Sequence, residues 1–190
     1  SSVGFGGGST YLALLLIWGI PYHIFPVIAL CCNIIVVSGN CFNYLRTGNI
    51  NIRLLRPYLI SSIPLAYIGG SLSINKQFFE ILLFIILSLA GFLLILKIKS
   101  FDNSNEDYKK IPRIISILIG GLIGFISGVV GIGGGIFLSP ILLLLRAGKV
   151  KDIATTASLF ILINSIAGLG GQFTKNFIFY QIYDYWPLFI

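Results

Sequence analysis

Long apolar runs separated by short polar segments dominate the pattern of this chain. Runs of about spanning length occupy residues 24–44, 54–74, 78–96, 114–145 and 153–171, and partial runs occupy 9–20 and 177–190. An α-helix needs about 20 apolar residues to cross the hydrocarbon core of a bilayer. The pattern therefore predicts an all-α, polytopic membrane protein in contact with the lipid bilayer.

Composition and charge support this class. Of the 190 residues, 56% are hydrophobic and 10% are charged. The net charge of +7 would suggest nucleic acid in a soluble protein, but most of the 13 Lys and Arg lie between apolar runs. We interpret them as topology determinants and expect no nucleic-acid partner. Because the chain lacks Met and starts almost on a glycine cluster, we also expect it to be a fragment, truncated at both ends.

Two glycine clusters stand at matching places in the two halves of the chain. Gly4-Phe5-Gly6-Gly7-Gly8 precedes Gly131-Ile132-Gly133-Gly134-Gly135 by 127 residues, and Ser38-Gly39 aligns near Ala167-Gly168. Glycine weakens a helix by about 1 kcal/mol per residue, so each cluster predicts a broken membrane helix. The pattern indicates an internal repeat.

The repeat divides the chain into three predicted parts. Residues 1–96 form a first transmembrane repeat, residues 97–113 a hydrophilic linker, and residues 114–190 a second transmembrane repeat. The linker carries five of the Lys and Arg, which predicts that it is cytoplasmic.

The loop charges also bear on how each glycine cluster sits in the membrane. If every run crosses the membrane, nine of the 13 Lys and Arg lie on one side and four on the other. If each glycine cluster is instead the tip of a re-entrant segment, eleven lie on one side and two on the other. The second division obeys the positive-inside rule better and makes the two repeats inverted. The run 114–145 would also extend about 48 Å as one straight helix, well beyond a hydrocarbon core of about 30 Å. The alternative is one strongly tilted or kinked span.

The clusters lack the pattern of a nucleotide site. The second cluster is followed by Ile136-Phe137, with no Lys to reach the phosphate of a P-loop ligand, and Ile136 stands where a dinucleotide fingerprint needs its last glycine. A glycine turn before a helix does present main-chain N–H groups at the positive end of the helix dipole, which suits an anion. Close helix packing is the alternative role, and it is the one we expect for Gly120, Gly124 and Gly128.

Polar residues inside the apolar runs are the second clue to a binding site. Each must find a partner or line a polar path. They are uncharged, and no spanning run has a central carboxylate, so they suit an anion better than a cation. Interhelical hydrogen bonding is the alternative role. The predicted substrate-binding residues are Gly4, Gly6, Gly7, Gly8, Ser9, Asn33, Asn40, Gly131, Gly133, Gly134, Gly135, Thr155, Thr156, Asn164 and Ser165.

The chain offers little material for catalysis. His23 is the only histidine and lies in a short loop, and the three cysteines have no CxxC spacing. We therefore predict no catalytic residue, metal site, disulfide or cofactor, and no enzyme activity.

Linked motifs resemble a known family. Phe125-Ile126-Ser127-Gly128-Val129-Val130 before the second glycine cluster, Ala154-Thr155-Thr156-Ala157-Ser158-Leu159, and Asn164-Ser165-Ile166-Ala167-Gly168 look like the sulfite exporter TauE/SafE family, also called TSUP. In the first unit, Tyr44-Leu45-Arg46-Thr47-Gly48-Asn49 follows the paired family pattern. The resemblance spans nearly the whole chain. It implies an inner-membrane protein of about eight segments in two repeats, which moves sulfite, thiosulfate, sulfonates or other organic anions.

The leading hypothesis is therefore a secondary membrane transporter for a small anion, which the family resemblance implies is a sulfur-containing or organic anion such as sulfite, thiosulfate or a sulfonate. The alternative is a channel-like or accessory membrane protein without alternating access. The sequence leaves substrate, direction, coupling ion and the formation of a homo-oligomer open.

Overall fold

The computed structural model describes residues 24–46, 52–98 and 111–175, which form a bundle of α-helices. Within these ranges there are six helices and no β-strand. They are α1 (Phe25–Arg46), α2 (Ile52–Ser71), α3 (Lys76–Ile98), α4 (Arg113–Val130), α5 (Gly135–Leu144) and α6 (Val150–Gln172). The all-α fold class predicted from the apolar runs is confirmed.

Three of these helices are long and apolar enough to cross a membrane. They are α1 over Phe25–Tyr44, α4 and α6, with mean hydropathies of 1.9, 2.1 and 1.7. The ten-residue α5 is apolar but shorter, at about 15 Å. The helices follow the apolar runs of the sequence closely, because runs of this length have few other ways to satisfy their main-chain polar groups in lipid.

The distribution of side chains is that of a membrane protein. The interior holds fully buried polar residues, among them Asn33, Ser127 and Asn164. The outer surface carries large apolar side chains that a soluble protein would bury. On α3 alone these are Phe78, Ile81, Phe84, Ile85, Leu89 and Phe92. Lipid is the solvent that suits such a face.

The run 114–145 is broken at the second glycine cluster, as its length and glycines predict. α4 ends at Val130, and Gly131, Gly133 and Gly134 have φ values of 85°, 80° and 77°. This left-handed conformation costs an L-residue with a side chain roughly 1–2 kcal/mol. Glycine is therefore required by the backbone itself at these positions. We call residues 131–134 the glycine turn.

The chain reverses direction at the glycine turn. A Cβ placed on Gly134 would lie 2.8 Å from Cγ2 of Ile123 on α4 and 2.9 Å from Cε1 of Phe160 on α6. Further along both helices, the Cα of Gly128 lies 3.4 Å from the Cβ position of Gly168. α4 and α6 therefore run in the same direction, and α5 returns between them. This geometry agrees with the re-entrant arrangement.

α2 and α4 pack through a row of glycines, which we call the glycine seam: Gly120, Gly124 and Gly128. They face the main chain of Tyr58, Ser62 and Ala66 in the same order, so these two helices are parallel. A Cβ on Gly124 would lie 2.5 Å from the carbonyl oxygen of Ser62, which no real Cβ does. The close packing expected for these three glycines is confirmed.

The relation between the two halves of the chain stays a prediction. The first glycine cluster lies outside the described residues, as does most of the linker between the halves. The internal repeat, its inversion and the three predicted parts of the chain therefore rest on the sequence alone.

Candidate functional site

The glycine turn brings two helix ends together inside the bundle. The carbonyl end of α4 stops at Val130, and the amide end of α5 begins at Gly135. The main-chain N–H groups of Gly135 and Ile136 have no acceptor within α5, because the first residues of any helix lack one. Gly134, the cap residue, has no side chain to accept from them. The turn thus presents donors at the positive end of the α5 dipole.

Asn33 from α1 and Ser165 from α6 flank Gly133. Nδ2 of Asn33 and Oγ of Ser165 each lie 3.1 Å from the Cβ position of that glycine. The amide of Asn33 donates to the carbonyl oxygen of Gly131 at 3.4 Å, which ties α1 to the turn. Ser127, on the last turn of α4, lies beside Gly134, with its Cβ at 3.5 Å from the Cβ position. Side chains of three helices therefore surround the turn.

Four buried polar atoms, three on side chains that flank the turn and one on the residue before Ser165 in α6, have no hydrogen-bond partner within the described part of the chain. All belong to residues with at most 1% exposure. Burying such an atom unpaired costs about 1–3 kcal/mol, so unpaired atoms are few in native proteins and a cluster of them has room for a ligand or water as partner. They are Oδ1 of Asn33, Oγ of Ser127, Oδ1 of Asn164 and Oγ of Ser165.

The structure does not bring every predicted residue to the turn. The hydroxyls of Thr155 and Thr156 are buried but donate to their own helix, to the carbonyl oxygens of Lys151 at 2.9 Å and Asp152 at 2.6 Å. They precede Asn164 by about 12–14 Å along α6. Asn40 lies two turns of α1 beyond Asn33, about 10 Å along the axis.

The predicted residues of the first cluster lie outside the described residues. They are Gly4, Gly6, Gly7, Gly8 and Ser9. Their role in binding stays a prediction, as does that of every residue proposed for the site.

Sequence reasoning missed Ser127 and Gln172. Ser127 could have been found as a serine one helical turn before the glycine break. Gln172 is fully buried, and its Nε2 donates to the carbonyl oxygen of Gly128 at 3.2 Å, while its Oε1 accepts from Nζ of Lys175 at 2.8 Å. The second contact gives Lys175 a structural partner as well as a topological role.

The described residues that flank the turn are all uncharged, which limits what they can bind. Within the described residues no group of three His, Cys, Asp or Glu side chains could hold a metal ion. Backbone dipoles, amide groups and hydroxyls are the available chemistry.

Comparison with known proteins gives one consistent result. A family model described as sulfite exporter TauE/SafE matches residues 1–190. A protein of Sinorhizobium fredii named as a probable membrane transporter protein is 31% identical over 173 residues, which cover 90% of this chain and 70% of that protein.

More distant relatives carry the same kind of name. A probable membrane transporter protein of Methanocaldococcus jannaschii is 28% identical, over 93% of this chain and 68% of its own length. One of Bacillus subtilis is 24% identical, over 88% of this chain and 71% of its own. No solved structure matches the chain.

Proposed function

Because the chain belongs to the sulfite exporter TauE/SafE family of membrane transporters, we propose that it is a secondary transporter for a small anion. The family's name favours a sulfur-containing anion such as sulfite, thiosulfate or a sulfonate. The cell inner membrane is its proposed location, with residues 97–113 on the cytoplasmic side. Its mechanism is proposed to be alternating access around the glycine turn.

The observation that carries this proposal is the amide end of α5 enclosed by buried, unpaired polar groups. The main-chain N–H groups of Gly135 and Ile136 lie at the positive end of the α5 dipole. A helix end of this kind can bind an anion without a charged side chain. The hydroxyls of Ser127 and Ser165 can donate to the same ligand. A neutral site of this kind binds the anion weakly enough to release it, as transport requires.

The proposal is tested by anion flux in proteoliposomes that contain the full-length protein. Sulfite, thiosulfate and a sulfonate serve as substrates, and the readouts are saturation and counterflow. A transporter shows both. Flux that neither saturates nor is stimulated by counterflow indicates the channel-like alternative, and no flux of any anion contradicts the proposal.

The glycine turn is tested by replacing Gly134 with Ala. The new Cβ meets Ile123 and Phe160 at under 3 Å, and the backbone there has a positive φ. We expect Gly134→Ala to reduce flux of a proven substrate about fivefold or more, because roughly 1–3 kcal/mol of strain falls on the site itself.

Gly91→Ala is the matched control for this substitution. Gly91 lies on the exposed face of α3, and no atom lies within 4 Å of its Cβ position. Unchanged flux in both variants would refute the assignment of the site, provided that both proteins are present in the vesicles in equal amounts.

A further inference from the structure

We propose that the glycine turn also binds an alkali cation, Na⁺ in the first instance, which accompanies the anion. The free oxygens of Asn33, Ser165 and Ser127 are its ligands. That the cation travels with the anion rests on the proposed transport function, but its binding does not. An anion needs hydrogen-bond donors, whereas the buried atoms without a partner at this turn include hydrogen-bond acceptors.

The orientation of two side-chain amides supports the binding of a cation. Nδ2 of Asn33 faces the carbonyl oxygen of Gly131, and Nδ2 of Asn164 donates to the carbonyl oxygen of Phe160 at 2.9 Å. Turning either amide over would place two oxygens in contact, so Oδ1 is the atom left unpaired in both. An amide oxygen only accepts hydrogen bonds or coordinates cations. An anion therefore cannot satisfy these two atoms.

The carbonyl end of α4 favours a cation at the same place. The carbonyl oxygen of Ser127 accepts from the N–H of Gly131 at 2.8 Å, and that of Gly128 accepts from Gln172. The next two carbonyls, those of Val129 and Val130, have no donor within α4, as at any helix end. They lie at the negative end of the α4 dipole. The turn thus joins a cation-binding helix end to an anion-binding one, an arrangement used by transporters with broken helices.

The chemistry of the ligands selects the kind of cation. Neutral amide, hydroxyl and carbonyl oxygens suit a monovalent ion, while Ca²⁺ and Mg²⁺ sites are built with carboxylates. A proton held by the protein would need a titratable side chain, and none of the described side chains that flank the turn titrates. An alkali ion beside the anion also offsets one of the anion's negative charges, which lowers the cost of holding it away from water.

The first experiment measures Na⁺ binding by the purified full-length protein without substrate. The readout is the thermal unfolding midpoint, titrated with NaCl against choline chloride at constant ionic strength, with LiCl and KCl in parallel. Binding to the folded state raises the midpoint with Na⁺ concentration. We expect a saturable shift with Na⁺ and none with choline. Equal behaviour of all four salts would overturn the inference.

Ser165→Ala, with Ser158→Ala as its control, tests the ligands. Both serines are buried on α6, but the hydroxyl of Ser158 donates to the carbonyl oxygen of Ala154 at 2.9 Å, whereas that of Ser165 is unpaired. Ser165→Ala removes one ligand and should weaken Na⁺ binding about tenfold or more. Ser158→Ala should leave it within about twofold.

Folding does not confound this pair. Ser165→Ala deletes an unpaired buried hydroxyl, so its unfolding midpoint in choline should be equal to or above that of the parent, while Ser158→Ala loses a hydrogen bond. Equal Na⁺ affinity in the two variants would remove Ser165 from the site.

Counterflow of the anion in Na⁺ and in choline media separates this inference from the proposed function. Saturable counterflow in choline together with no Na⁺ binding overturns the cation site and leaves the transporter standing. Na⁺ binding without flux of any anion contradicts the transport function and leaves the cation site standing. Flux that requires Na⁺ and falls in Ser165→Ala supports both.

Discussion

At the scale of single residues, buried polar side chains of the same type have different partners. Ser158, Thr155 and Thr156 donate to carbonyl oxygens one helical turn earlier, so their hydroxyls are satisfied within α6. Ser165, on the same helix, has no such bond. The difference separates side chains that stabilise the helix from those that can bind a ligand.

This distinction could not be predicted from the sequence. Thr155, Thr156, Asn164 and Ser165 are all polar residues in one apolar run, and the sequence treats them alike. Whether a hydroxyl bonds its own helix depends on its rotamer, and the rotamer depends on neighbours from α1 and α5 that are distant along the chain. The glycines of the turn were predictable because a run of them breaks a helix locally.

Lys175 allows a prediction about pH at the same scale. It follows the end of α6, and burial lowers its pKa to about 8 from 10.5. Between about pH 8 and 10.5 Lys175 therefore binds more protons in the unfolded chain than in the folded one, so its contribution to the free energy of unfolding should rise with pH in this window. Below about pH 8 Lys175 is protonated in both states and contributes no slope.

The measurement for Lys175 is urea unfolding in detergent at pH 7.5, 9 and 10. Lys175→Met should remove part of the increase with pH, because Met keeps the length of the side chain without the charge. Lys76, which is exposed on α3 and paired with Glu80 at 3.8 Å, provides the control substitution Lys76→Met. An identical pH slope in the parent and in Lys175→Met would contradict the prediction.

At the scale of helices, glycines decide how closely α2, α4 and α6 approach one another. In addition to the glycine seam, Gly69 on α2 meets the main chain of Phe125, and Gly171 on α6 meets that of Tyr67. The hydroxyl of Ser61 donates across to the carbonyl oxygen of Ile117 at 2.6 Å. Helices in lipid gain stability from such close packing rather than from the hydrophobic effect.

Replacing one glycine of the seam should separate two helices. Gly124→Ala places a Cβ against the carbonyl oxygen, Cα and Cβ of Ser62, and main-chain atoms cannot move aside as a side chain can. We expect a loss of about 1–3 kcal/mol in the free energy of unfolding, as for overpacked cores.

Thermal or urea unfolding in detergent measures the effect of Gly124→Ala. Gly39→Ala is the control, since Gly39 lies on the exposed side of α1 with no atom within 4 Å of its Cβ position. Alanine favours a helix over glycine by about 1 kcal/mol, so the control should be neutral or stabilising. Equal stability of both variants would show that the seam tolerates a side chain.

The spacing of the seam was predictable, and its partners were not. Glycines at every fourth residue of α4 lie on one face of a helix, which the sequence shows directly. That this face meets α2, and in parallel, depends on the path of α3 between them. The sequence offers no local signal for such long-range pairing.

At the scale of the whole molecule, the reversal of the chain at the glycine turn determines which helices begin at the same end of the bundle. α4 and α6 run in the same direction, so their first residues lie at the same end of the bundle. Residues 97–113 and the connection from α5 to α6 should therefore be on one side of the membrane. α2 is parallel to α4, so its last residue lies at the opposite end of the bundle from the first residues of α4 and α6.

Labelling of single cysteines tests this arrangement. In a protein whose three native cysteines are replaced, Gly148→Cys and Ser104→Cys should react with a membrane-impermeant maleimide in the same vesicle orientation. Asn75→Cys, in the exposed connection between α2 and α3, should react in the opposite one. Reaction of Gly148→Cys on the side of Asn75→Cys would contradict the reversal.

The glycine seam finally restricts the motion by which this molecule can work. Where two helices touch main chain to main chain, no rotamer change can let one slide past the other, because interiors packed in this way do not deform gradually. α2 and α4 must therefore move as a single rigid body. A gate that opens and closes is therefore expected at other contacts of the bundle, not between α2 and α4.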